Sequence, residues 1–188
     1  MLNKFKALGL AATIAALSPI AAWAAPITGD LEIGTTLDLA ASTFADDGRV
    51  ALAADASSIV LDATGSFDAA GLSLGDSVLL GSFDLTAPVS IWSVGIFTFE
   101  ATAFSNISET VSGAEITRSF NASGVVSAAG FDDTIGLLSF SGTSSSQKTT
   151  DVVSFNFTTD VAPVPLPAGL LLMGTALAGL GMVRRKKA

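Results

Sequence analysis

The chain has 188 residues, 9 of them basic and 17 acidic, and contains neither cysteine nor histidine. Without histidine, His-based hydrolase triads and most zinc and copper centres are excluded; without cysteine, so are disulfides. Six cations (Lys4, Lys6, Arg184, Arg185, Lys186, Lys187) lie near the two ends, so the body keeps Arg49, Arg118 and Lys148 against all 17 acids, a net of −14 that disfavours nucleic acid.

In chain order, Lys4 and Lys6 precede an apolar run from Ala7 to Leu17, and Ser18-Pro19 then breaks the helix. Ala22 and Ala24 place small side chains at −3 and −1 of a cleavage site before Ala25. Residues 1–24 therefore read as a secretory signal peptide that uses the Sec export machinery, and the run is too short to span a bilayer.

Residues 25–160 read as one all-β body. Ser, Thr, Gly, Val, Ile and Phe dominate, and short apolar stretches recur between turn-forming clusters. Strands are predicted near Leu31–Leu39, Ile59–Ala63, Val78–Leu85, Val89–Glu100, Ile116–Asn121, Val125–Ala128 and Thr134–Ser141. The clearest alternation is Val153-Phe155-Phe157 against Ser154-Asn156-Thr158. Spacing of this kind predicts an antiparallel β-sandwich or barrel-like domain. The alanines of Arg49–Ala54 permit a turn or two of helix. Gly-Ser-Phe-Asp occurs at Gly65–Asp68 and again at Gly81–Asp84, read as turn-plus-strand chemistry used twice. Ser141–Thr150 reads as a flexible loop.

Residues 161–167 form a Pro-rich linker and motif, stiffened by Pro163 and Pro165. Ala168 to Val183 carries no charge; as a helix it spans about 24 Å against a hydrocarbon core of about 30 Å, short but workable once Leu166 extends it and Arg184 snorkels. Arg184, Arg185, Lys186 and Lys187 close the chain as a cytoplasmic lock, each charge costing about 2.5 kcal/mol or more to carry through lipid. Residues 168–183 are thus expected to be a transmembrane helix in the inner membrane, and 184–188 a basic cytoplasmic tail, with the body outside.

Val164-Pro165-Leu166-Pro167-Ala168, followed at once by the apolar run and the basic cluster, resembles the C-terminal sorting signal of PEP-CTERM exosortase substrates. Leu166 stands where the standard motif has glutamate, which is similar to the VPLPA-type variant. Trp92–Phe104, Gly130–Ser145 and Val153–Asp160 resemble the body of a group of such proteins with no assigned activity. The resemblance implies export by a Gram-negative bacterium that makes exopolysaccharide, biofilm material to which the body could attach. It also implies an exosortase-type membrane enzyme that cuts near the motif, and delivery to the cell surface or matrix. The prolines keep the motif extended, a form that a processing enzyme can bind.

Other candidates carry less chemistry. Asp46, Asp47, Asp132 and Asp133 are paired acids that suit calcium, yet Asp is favoured in turns anyway, and no Asp-x-Asp-x-Asp-Gly loop is present. Nothing singles out Glu100, Glu109 or Glu115 as a glycosidase carboxylate. Trp92 could stack on a sugar, but the alternating Phe residues around it favour the core. Asn106, Asn121 and Asn156 head glycosylation sequons at near-chance frequency. The expected protein is therefore a non-enzymatic surface or matrix protein without cofactor or resident metal. Its alternatives are a carbohydrate- or calcium-binding module on the same tail, and a periplasmic protein whose anchor is never cut.

Overall fold

The fold is that of a computed structural model, which describes residues 24–159. The sorting motif Val164–Ala168, the apolar run, the basic cluster and Ala22 lie outside the described residues; Ala24 and Ala25 lie within them. Twelve strands and one short helix occur in the order β1 (Ala25–Pro26), β2 (Asp30–Asp38), β3 (Arg49–Val50), β4 (Ile59–Ala63), α1 (Ser66–Ala69), β5 (Leu79–Leu80), β6 (Phe83–Asp84), β7 (Val89–Val94), β8 (Phe97–Ser112), β9 (Glu115–Ala128), β10 (Phe131–Asp132), β11 (Thr134–Ser145) and β12 (Thr150–Thr159).

Eight strands form a single antiparallel sheet in the order β4-β2-β12-β11-β9-β8-β7-β5. It curls into a half-barrel. Of the expected sandwich or barrel-like domain, the curled sheet is the barrel-like form; the two-stranded pairs β1-β10 and β3-β6 and the connecting segments accompany it in place of a second large sheet. Period-2 patterning puts Leu31, Ile33 and Leu37 of β2, Phe97 and Phe99 of β8, Phe120, Ala122 and Val126 of β9, Leu138 and Phe140 of β11, and Phe155 and Phe157 of β12 on the inner face, all buried. A register shift between Ser90 and Trp92 lets the consecutive residues Ile91 and Trp92 both enter the core. Phe44, Leu72 and Leu85 from the connections, Val50 of β3, Phe67 of α1 and Phe83 of β6 fill the curl. Phe67 sits 4.7 Å from Phe97 and 6.0 Å from Phe157, while Phe44 lies 5.6 Å from Phe140, so a continuous aromatic layer joins connections to sheet.

Several predicted elements change. Val78–Leu85 is broken at Gly81-Ser82 into β5 and β6, which belong to different sheets, β6 pairing with β3. Val89–Glu100 is not one strand but a hairpin turning at Gly95, whose φ of 56° suits a residue without Cβ. Ile116–Asn121 and Val125–Ala128 fuse into β9, because β8 pairs along its length and β11 from Glu115 to Val126. Arg49-Val50 is strand rather than helix: Val50 is fully buried and its pairing overrides alanine propensity. Ser141–Thr150 is mostly strand, with only residues 146–149 in the connection between β11 and β12.

Candidate functional site

The sequence candidates do not converge. Asp46 and Asp47 occupy an exposed turn, with Asp47 at a φ of 60°; Asp132 lies in β10, paired with Pro26, and Asp133 follows it. No group of three or more potential metal ligands occurs among the described residues. Trp92 is buried at 1 % exposure, 5.1 Å from Phe157 and 5.8 Å from Phe99, as a core residue. Glu100 and Glu115 are exposed on β8 and β9, and Glu109 is committed to an ion pair. Asn106, Asn121 and Asn156 lie on β8, β9 and β12. Ala25 opens β1 and pairs with Phe131.

The feature that does bring polar groups together is a gap within the sheet. β11 and β12 are joined by a short connection, yet they pair only from Gly136↔Thr159 to Ser139↔Asn156. Beyond that rung the two strands separate, β11 staying on β9 and β12 staying on β2. A Lys148 N–H to Ser145 carbonyl bond of 3.0 Å closes the turn at the far end. The result is an eyelet, bounded by two strands, one turn and one rung.

The backbone phase within it follows from its neighbours. Leu39 N–H donates to Thr149 O (2.8 Å) and Thr159 N–H to Gly29 O (3.1 Å), so odd residues of β12 bond β2 and the even pair Val152 and Ser154 turn toward β11. Ser146 N–H donates to Ala114 O at 2.8 Å, so even residues of β11 bond β9 and Ser141 and Thr143 turn toward β12. Val152 N–H is taken by the Asp151 carboxylate at 3.1 Å. The other backbone groups facing the gap have no cross-strand ladder to join, and such groups need water or a ligand.

The hollow measures about 200 Å³ and is bordered by Leu39, Phe140 and Val153 with Ser141, Thr143, Ser144, Ser154, Asp151 and Arg118. Arg118 lies on the inner face with its side chain only 9 % exposed. Its Nε donates to Glu109 Oε2 at 2.8 Å and its Nη1 to Ser144 Oγ at 3.1 Å, while Phe44 lies 5.7 Å beneath the guanidinium. Among the described residues Nη2 meets no acceptor, which leaves donors at the edge of the hollow. Asp151 Oδ1 holds Lys148 Nζ at 2.9 Å, and Oδ2 meets no donor among the same residues. Gly142, paired with Arg118 across β9 and β11, supplies no side chain to fill the space.

The Ser-rich run reads as a loop in the sequence, which hides a site built on strand up to Ser145. One signal was present: in Arg118-Ser119-Phe120-Asn121-Ala122, alternation puts Arg118 on the same face as Phe120 and Ala122. A cation on an apolar face needs partners, and it is one of only three in the body. Comparison of the chain with protein-family models, with curated proteins and with solved structures finds no match.

Proposed function

We propose that the chain is an exported cell-surface or extracellular-matrix protein, sorted through its C-terminal segment by an exosortase-type membrane enzyme, with no catalysis of its own. The observation that carries this reading is the order of Val164–Ala168, an uncharged run to Val183 and four consecutive cations, with an export signal at the opposite end. Two features of the fold support it. β1 opens at Ala25, the residue that follows the expected cleavage site, so removal of residues 1–24 leaves every described element whole. β12 ends at Thr159, so Asp160, Val161, Ala162 and Pro163 alone separate the sheet from the motif. Cutting at or beyond Val164 would likewise spare the fold.

The test is the intact mass of the protein recovered from the surface or medium of its native host. A chain running from Ala25 to a terminus within Val164–Ala168 is expected. A chain that retains Arg184–Lys187 sinks the sorting reading and leaves a membrane-anchored periplasmic protein.

A further inference from the structure

We propose that the eyelet between β11 and β12 is a binding site for one neutral sugar ring. The first argument is shape. The gap is closed at both ends, by the turn at Ser145–Lys148 and by the Ser139↔Asn156 rung, so an extended peptide cannot be threaded along the free edges as an added strand. A volume of about 200 Å³ holds roughly six or seven waters at ~30 Å³ each, or one small ring in their place.

The second argument is the mixture of groups. Val153, half-buried, offers an apolar patch to the C–H face of a pyranose, with the buried Leu39 and Phe140 behind it. Around it stand Arg118 Nη2 and the Ser141, Thr143 and Ser154 amides as donors, Asp151 Oδ2 and the strand carbonyls as acceptors, and the Ser141 and Ser154 hydroxyls, which serve as either. A sugar hydroxyl both donates and accepts, and this ring of fixed partners answers it on both counts. Arg118 is held by Glu109 and Ser144 before any ligand arrives, so little ordering remains to be done on binding.

The third argument is charge. The charged groups at the hollow cancel: Arg118 with Glu109, and Lys148 with Asp151. The body around them carries a net of −14. A carboxylate or phosphate would enter a neutral site in a strongly acidic protein, whereas a neutral polyol meets no such penalty. This selects an uncharged sugar over an acidic one. The inference stands apart from the sorting reading and survives or fails independently of it.

The test uses the intact chain in a zwitterionic, sugar-free detergent, with saturation-transfer NMR against D-glucose, D-galactose and D-mannose, and D-glucuronate as the anionic probe. At least one neutral hexose should bind in the millimolar range, with glucuronate weaker at low salt. Ser154→Phe and Ser141→Phe, both at the rim and outside the core, should each weaken binding about tenfold or more, while an unchanged thermal unfolding midpoint reports that the fold is kept. No transfer to the folded chain at ~50 mM of any of the neutral sugars, unchanged transfer in both variants, or tighter binding of glucuronate than of every neutral sugar would each overturn the proposal.

Discussion

Trp92 shows how much a single side chain decides. Trp23 lies outside the described residues, among which Trp92 is the only tryptophan. It packs among Phe67, Phe99 and Phe157, and its Nε1–H is buried with no acceptor among the described residues. An orphaned donor costs about 1–3 kcal/mol, which offsets part of what the ring contributes. Trp92→Phe keeps most of the ring contacts and removes the orphan, so urea unfolding should place it within about 1.5 kcal/mol of the parent. Trp92→Ala leaves an aromatic-sized cavity and should lose about 3–5 kcal/mol. Equal losses for the two would mean that the indole N–H has a partner after all. The inward position of Trp92 was legible from its neighbours. That of Arg118 was legible too, by the same alternation, but only a reader asking what pairs with an inward cation would have stopped there.

Among the elements, those that alternate apolar with polar residues or carry a short apolar run were readable, and those with neither were not. Val153–Thr158 falls within β12 and Ile59–Ala63 is β4. The outer half of β8, from Ser105 to Ser112, was invisible because it is mostly polar and exposed on both faces, so no core imposes a period on it. Ladder pairing and the Glu109–Arg118 ion pair hold it, in rows such as Thr110↔Thr117↔Thr143, where the last two hydroxyls lie 3.0 Å apart. The repeated Gly-Ser-Phe-Asp makes the same point in reverse: the first copy enters α1 and the second enters β6, and in both the phenylalanine is buried. Burial of the ring is conserved between the copies while the backbone follows its surroundings. Because the β8–β9 tip has ladders but almost no buried side chain, its amides should exchange by local opening. Hydrogen exchange should give Ser108–Thr117 an opening free energy roughly half the global value or less, while Phe99, Ala101 and Val126 exchange only through global unfolding. Uniform protection along β8 would show that the tip is covered by something else.

For the molecule as a whole, the decisive fact is that β2 and β12, the first and last long strands, lie side by side within the sheet. No periodicity reports such a neighbourhood; it is set by which remote strands pack together, which is why a sandwich and a curled single sheet looked alike in the sequence. Both outer strands are short, five residues in β4 and two in β5, which limits the edge on offer to another chain. The order has a consequence for assembly. β12 brings Phe155 and Phe157, both almost fully buried, and losing each is worth about 3–5 kcal/mol, against about 5–15 kcal/mol for the stability of a whole domain. Without it, β2 also loses its longest ladder and β11 is left as a new open edge. A chain ending at Ser145 should therefore show no cooperative thermal transition, and Trp92, which contacts Phe157, should emit as a solvated indole. A sharp transition in that shortened chain would mean that the remaining strands form a core without β12. If the transition is absent, the described fold closes only once β12 is complete at Thr159, with four residues between it and Val164.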